Sequence, residues 1–361
     1  VQLDRLWLTD IRSYPAAELE FAPGLTAIVG DNGHGKTNIL EAIGYLATLR
    51  SFRGAPTEAI IRDGAVTGVI RAEGVREGRN LLIEAELSRT GRNRVLVNRQ
   101  KLPRARDLLG ALRVSVFSPD DLVLVKGGPG ERRVYLDDTL VACDPRLDAR
   151  CSEVDRVLRQ RNALLKQAGG RLSDEVAVTL DVWDTKLAEA GEALVAARID
   201  LLDSLVPRIE VAYSQLAHRP VAVGAVYESA WRDTGLAASL AASRRDDLRR
   251  GVSLVGPHRD ELRLTLDGLP ARTHASQGEQ RSLALALRLA AHLAVRDAAG
   301  SSPILVLDDV FSELDPERGA ALLAGLPPGQ TLLSTAAGLP PGAAPELVLT
   351  VAGGTIQVSS A

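Results

Sequence analysis

The sequence predicts an α/β protein carrying an antiparallel β patch and an inserted helical domain. Three observations predict it. An apolar strand pattern ending in Leu25-Thr26-Ala27-Ile28-Val29-Gly30 runs into a glycine-rich loop and then a helical pattern. A second unbroken apolar run, Ile304 to Leu307, ends in two aspartates. Between them the chain shows period-2 alternation over 66–102, then a long stretch dominated by Leu, Ala, Arg and Glu from Glu131 to about Ala217.

Taken in order, residues 3 to 30 alternate apolar and polar positions, as strands do. "TNILEAIGYLATL" (37–49) then places Ile39, Leu40, Ile43 and Leu46 at helical spacing. "LLIEAELSR" and "NRVLVNRQ" read as two strands, with Thr90-Gly91-Arg92-Asn93 as the hairpin turn between them. The helical stretches that follow are expected to break near Pro145, at Gly169-Gly170 and near Pro207. The core resumes at "VSLVGPHRDELRLTLDG" (252–268), and the Pro/Gly-rich stretch 325–345 reads as loop. The expected domains are therefore 1–127 plus 252–361 for the α/β head and 128–251 for the helical insertion.

Bulk properties exclude several classes. With 361 residues, 45% apolar and 25% charged, the chain has enough material for two or three folded domains and is not a disordered polymer. The net charge of −3 gives no general attraction to nucleic acid, but Arg50 to Asp107 holds 13 Lys/Arg against 7 Asp/Glu. Two cysteines, Cys143 and Cys151, make no disulfide framework, which points to a reducing compartment. The absence of a basic-then-apolar leader and of a run of 18 apolar residues points away from secretion and membrane spanning.

Gly30-Asp31-Asn32-Gly33-His34-Gly35-Lys36-Thr37 matches G-x-x-x-x-G-K-[ST] in full, between a strand and a helix. Glycines let backbone N–H groups wrap phosphates without a Cβ in the way, and the helix N-terminus adds positive potential. Lys36 can reach the β- and γ-phosphates, and the Thr37 hydroxyl can ligate Mg²⁺. In "ILVLDDVFSELDPE" (304–317), Asp308 stands at the C-terminal edge of a buried strand, where open α/β sheets bind ligands. There it can hold Mg²⁺, and Asp309 beside it can polarise an attacking water. Asp315 before Pro316 also makes a good helix N-cap. Ser276-Gln277-Gly278-Glu279 fits a capping box, yet a cap requires neither Gly278 nor Gln280.

Taken together, GDNGHGKTNILEAI, SQGEQ and LDDVFSELD resemble the ABC-type ATPases that act on chromosomes, and within them the RecF family of the SMC-like group. "DIRSY" (10–14), "GPGERRVYLD" (128–137) and "GPHRDEL" (256–262) support the resemblance, which runs from near residue 3 to about 335. It implies a P-loop ABC/SMC-type ATPase head whose insertion is lobe II-like. It also implies a cytoplasmic DNA replication and repair protein of the SOS response, with ATP and Mg²⁺ as cofactors and weak, DNA-stimulated hydrolysis. ATP would drive a homodimer that binds gapped DNA or single-strand/duplex junctions and, with RecR and RecO, helps load the RecA recombinase.

By position, the resemblance gives Gly30 to Asn38 (Asn38 included) to the nucleotide, with Arg12 as a further contact. Thr37 and Asp308 would hold the metal, Asp309 and Lys36 would be catalytic, and Asp315 would lie in the D-loop. Ser276, Gln277, Gly278 and Glu279 would form the signature that acts in trans. The sequence departs from the pattern at His34, where Gln is usual, and at Thr335, where many relatives place a switch His. "VFSPDDL" (116–122) occupies the expected Q-loop region without a glutamine. For DNA, Arg50 and Arg53 after the first helix and Arg92, Arg94, Arg99 and Lys101 on the antiparallel patch are the candidates; a solvated arginine-rich surface is the plainer alternative. The competing functional readings are another SMC-like ABC ATPase or a transporter's ATPase subunit.

Overall fold

The computed structural model describes residues 1–217 and 221–359. The chain divides into two compact units: Val1–Leu122, Val211–Pro220 and Arg281–Ala361 form the first, and Val123–Glu210 with Val221–Gln280 the second.

The first unit contains two six-stranded sheets. One is antiparallel, in the order Tyr14–Glu20, Gln2–Ile11, Thr67–Arg76, Arg79–Ser88, Arg94–Val97, Gln100–Lys101. Its strands alternate as their sequence requires, but Leu3 and Leu6 both face inward although an odd number of positions separates them. A register shift between Leu3 and Arg5 accounts for this: a bulge inserts one residue and restores the apolar side to the core. The other sheet runs Thr355–Ser359, Leu347–Ala352, Leu25–Val29, Thr331–Thr335, Ile304–Asp308, Val114–Phe117, all parallel except the first. Ile304–Asp308 and Thr331–Thr335 are buried at every position, as expected of strands covered on both faces.

The helix Lys36–Thr48 packs against strands of both sheets. Its Ile39, Leu40, Ile43 and Leu46 are fully buried in one apolar cluster with Leu6, Leu8, Ile28, Ile70, Val306 and Leu332. Each such side chain contributes about 1.5–3 kcal/mol on burial, so the helix that follows the glycine-rich loop is fixed by the core and not by its own propensity. Gln330 ties the sheets at their other end: its amide accepts from the Leu3 N–H and donates to the Leu3 and Ala22 carbonyls, at 2.7–2.8 Å.

The second unit combines helices Pro129–Cys143, Asp148–Ala168 and Leu236–Arg250, and most of Asp174–Ala217, with a three-stranded antiparallel sheet. Residues 252–280, expected with the head, fall in this unit because Glu261–Leu266 pairs along its length with Val223–Glu228. Helices end at Cys143 and Ala168, beside Pro145 and the left-handed Gly169. At Pro207 the expected break does not occur, and the 44-residue helix Asp174–Ala217 runs through it. Burial of Leu202, Leu205 and Ile209 around the proline outweighs the one backbone hydrogen bond it removes. Arg161, fully buried, donates to Asp184 at 2.6 Å, Asp247 at 2.7 Å and Ser253 at 2.8 Å, which joins three segments distant in sequence. Among the described residues no helix is long and apolar enough to cross a membrane.

His292, in the first unit, is 1% exposed, and neither ring nitrogen has a hydrogen-bond partner. Burial lowers its pKa from 6.5 to about 4, and the charge of Arg296 acts in the same direction. The unfolded chain therefore binds this proton as the pH falls through 6.5, while the native state takes it up only near pH 4. The stabilisation is fully present above pH 6.5 and is lost toward pH 4, at about 1.4 kcal/mol per pH unit. In urea denaturation, His292→Leu is expected to lose about 1–2 kcal/mol of the stability drop between pH 7 and pH 5; an unchanged pH slope would contradict the assignment.

Candidate nucleotide site

Two glycines fix the path of the loop. A Cβ on Gly30 would lie 2.2 Å from the Val351 carbonyl oxygen. Gly35 has φ 108°, and a Cβ there would lie 2.7 Å from the Tyr14 hydroxyl and 2.8 Å from Ser13 Oγ. The Tyr14 hydroxyl instead donates to the Gly35 carbonyl at 3.1 Å. The loop thus closes against the start of Lys36–Thr48, where the Asn38 and Ile39 N–H groups turn back to the Gly35 carbonyl at 3.0 and 3.3 Å and no side chain caps the helix end. Lys36 is buried, and its ammonium donates to the Gly30 carbonyl at 2.6 Å and the Asp31 carbonyl at 2.9 Å, so its charge rests within its own loop. Asp31, Asn32 and Gly33 are exposed at the rim, while His34 is half-buried with Nδ1 unbonded. Asn38 donates to Ser13 Oγ at 3.0 Å.

The sheet register brings the acidic half to this loop. Thr37 Oγ1 donates to Asp308 Oδ1 at 2.9 Å, across 271 residues of sequence. The same oxygen accepts from Ser334 Oγ at 2.7 Å, on the neighbouring strand at the paired position. Burial raises the Asp308 pKa; the hydrogen bonds from Ser334 and Thr37 oppose that, Asp309 adds to it, and the charge of Arg53 opposes it. Asp309 takes a left-handed φ of 50°, with its N–H donating to Ser334 Oγ at 3.0 Å and to the Ser334 carbonyl at 3.2 Å. Its Oδ1 is buried without a partner, an arrangement that costs about 1–3 kcal/mol unless a donor is supplied. The Thr37 hydroxyl and the Asp308 carboxylate form an all-oxygen pair, with the orphaned Asp309 oxygen beside it. That fits Mg²⁺, which keeps several waters and takes one or two protein ligands alongside substrate phosphates.

The remaining candidates divide. Arg12 donates through Nε and Nη2 to the buried Glu41 at 2.7 Å each, and through Nη1 to the Ala59 carbonyl at 2.7 Å, so it braces the helix behind the loop. The Ser51 hydroxyl also bonds Glu41 and accepts from the Arg53 N–H at 3.1 Å. Arg50 and Arg53 are exposed on the segment after that helix, with Arg53 near enough to influence Asp308. Arg94 and Lys101 are exposed on strands of the antiparallel sheet, Arg92 and Arg99 in the turns beside them, with Arg94 at 3.9 Å from Glu86. Asp315 caps Pro316–Ala324, accepting from the Arg318 N–H at 2.9 Å and its guanidinium at 2.6 Å. Thr335 is buried and donates to the Gly338 carbonyl. In 116–122, Asp121 accepts from the Ser118 N–H and pairs with Arg288 at 2.6 Å, giving that segment a structural use.

In the second unit, Ser276 and Glu279 form the capping box: the Ser276 N–H donates to Glu279 at 2.8 Å and the Glu279 N–H to Ser276 Oγ at 3.3 Å. Ser276 and Gln277 are exposed at the tip of helix Gln277–Ala299. Ser334 and Glu41 carry no role in the sequence reading, and Gln280 stands there only as a residue the cap does not need. Only Ser334 had a local signal, a polar residue at the end of an apolar strand.

Ser334→Ala removes one donor to Asp308 and one acceptor for the Asp309 N–H. Titration calorimetry with a non-hydrolysable ATP analogue is expected to show about 3- to 10-fold weaker binding in Mg²⁺ and little change in EDTA. Equal loss in both conditions would show that Ser334 does not act through the metal-side carboxylate.

Comparison with known proteins agrees with this geometry. The family model described as RecF/RecN/SMC N terminal domain matches residues 2–327. A DNA replication and repair protein RecF of Streptomyces avermitilis is 46% identical over 352 residues, covering 93% of this chain and 94% of the relative. The RecF of Frankia alni is 45% identical, with 93% of each chain covered. Among solved structures, the recombination mediator protein RecF-ATP of the RecFOR pathway superposes with TM-score 0.91 at 27% identity, covering 99% of this chain and 97% of the other. An Smc head bound to the C-winged helix domain of ScpA, 17% identical with TM-score 0.59 over 100% of this chain and 98% of the other, shares the fold. With an SMC-type ATPase head, its phosphate loop joined to the acidic strand end, and relatives matched along nearly their whole length, the chain belongs to the RecF family of DNA replication and repair proteins.

Proposed function

We propose that this chain is an ATP-gated, DNA-binding repair protein of the cytoplasm, which dimerises on ATP at gapped or single-strand/duplex junctions and, with RecR and RecO, helps load RecA. The observation that carries the ATPase reading is the joining of Thr37, Asp308 and Ser334, with the unpartnered Asp309 oxygen beside them. Lys36 exchanges its two carbonyl contacts for the β- and γ-phosphate oxygens, and the loop amides hold the phosphate chain. Bound Mg²⁺ would be held by Thr37 and Asp308 and would supply neutralisation of phosphate charge. Asp309 Oδ1 accepts a hydrogen bond from the attacking water and orients it. Slow hydrolysis suits a switch better than a fast engine.

Dimerisation follows if Ser276 and the amides near Gly278 touch the γ-phosphate held by a second copy. Moving an equilibrium from 1:99 to 99:1 takes about 5.5 kcal/mol. Two symmetric sites then need about 2.7 kcal/mol each, the range of one or two charge-assisted hydrogen bonds. The observed capping box is compatible with this role, because a cap and an anion use the same helix end. The exposed Arg50, Arg92 and Arg94 can meet phosphate backbones, which predicts salt-dependent, sequence-independent DNA affinity.

Size-exclusion chromatography with ATP, with and without gapped DNA, tests the proposal. Wild type is expected to dimerise, Asp309→Asn to prolong the dimer, and Lys36→Arg to impair it. Dimers indifferent to nucleotide in all three would refute it.

A further inference from the structure

The Gln at 280 lies just past the capping box and has no part in it. Its side chain is 4% exposed, and Nε2 donates to the Ala271 carbonyl at 3.1 Å and the Arg272 carbonyl at 3.1 Å. Those carbonyls belong to the four-residue helix Ala271–His274, too short to satisfy its own C-terminal acceptors. Ala271 also accepts from the Ala275 N–H at 3.3 Å. One carboxamide therefore closes a ring of chain from Ala271 to Gln280, and Ser276 stands at its exposed turn. The other end of the ring is fixed as well. Ala271 is fully buried, and its helix packs against Val123–Lys126 and the strand Glu261–Leu266. That strand begins at Glu261, which accepts both arms of the buried Arg132 at 2.7 Å. Arg132 in turn donates to the Leu124 and Gly127 carbonyls at 3.1 Å. Arg133 adds a bond to the Asp260 carbonyl at 2.7 Å.

We propose that Gln280 is a positioning residue for the phosphate-sensing turn: its two hydrogen bonds, braced by the Arg132–Glu261 pair, aim Ser276 and Gly278 at the nucleotide of a second copy of this chain. The inference rests on the dimerisation reading above and adds what sets the turn's direction. Without the carboxamide the capping box still forms, since the reciprocal bonds between Ser276 and Glu279 do not use the Gln280 side chain, but the turn is no longer held to the buried short helix. Gln280 touches no phosphate, and its loss leaves the cis loop of the same chain unaffected.

The test compares wild type with Gln280→Leu, Gln280→Lys and Ser276→Arg by analytical ultracentrifugation across an ATP titration. A fluorescent ATP analogue on dilute monomer and circular dichroism report the cis loop and the fold. Gln280→Leu keeps volume but loses both donors, and it is expected to need about tenfold more protein for half-dimerisation at saturating ATP. Cis affinity should stay at the wild-type value. Gln280→Lys retains an N–H donor with similar reach and is expected to recover most of the dimerisation. If wild type dimerises, Ser276→Arg does not, and Gln280→Leu behaves as wild type, the positioning role is refuted while the dimer reading stands. Equal failure of the Lys and Leu variants also refutes it, since donation would then not be what matters. If Ser276→Arg dimerises as wild type does, the composite site fails, and the positioning role with it.

Discussion

The Asp308 carboxylate, at the buried end of Ile304–Asp308, accepts from Thr37 at 2.9 Å and from Ser334 at 2.7 Å, and through it three separate stretches of chain share one polar point. The rest of the first unit serves that meeting. Parallel pairing sets Asp308 level with Ser334, and Ser334 level with Ile28, so the strand ends arrive together. The apolar helix behind the loop is gripped by both sheets, which keeps Thr37 within reach of Asp308. Such a carboxylate is unfavourable unless it is bonded, and burial does raise its pKa. A buried carboxylate of this kind is further relieved by a cation, which is what the proposed Mg²⁺ would supply.

The second unit solves a different problem. Its sheet and helices bury an apolar core of their own, with Leu136, Leu187, Leu205 and Leu262 among it, and buried arginines with several partners each cross-tie that core. Arg161 reaches Asp184, Asp247 and Ser253; Arg198 reaches Asp137, Tyr227 and the Pro257 carbonyl. Removing one partner from such a group strands a buried charge, at about 3–5 kcal/mol. A unit tied in this way suits the proposed presentation of the Ser276 turn to a second copy.

How much of this the sequence made legible depends on the range over which each residue's role is set. The phosphate-loop pattern could be read because three glycines, a lysine and a threonine fall within eight consecutive residues, with strand and helix patterns on either side. Asp308 and Asp309 could be singled out only beside the phosphate loop, because carboxylates at strand ends are common by themselves. Ser334 could not, since its role comes from cross-strand register with Asp308. Arg12 was assigned toward nucleotide by resemblance, and its Glu41 partner appears only once the turn after Ile11 is laid on the loop helix. Pro207 misled because a local rule was applied where surrounding burial decides. Gln280 looked superfluous in the capping box because its partners lie on the preceding short helix. The 252–280 segment groups with the second unit and not with the head because Glu261–Leu266 pairs with Val223–Glu228, and a strand's own alternation does not say which strand it pairs with.

In the proposed dimer each ATP site is built from the phosphate loop of one copy and the Ser276 turn of another. Mixing two inactive variants tests it most directly. Lys36→Ala removes the cis half and Ser276→Arg the trans half, so each homodimer has no complete site, whereas the mixed dimer has one. Phosphate release measured on the equimolar mixture should rise clearly above that of either variant alone. A mixture no more active than its two components would contradict the account.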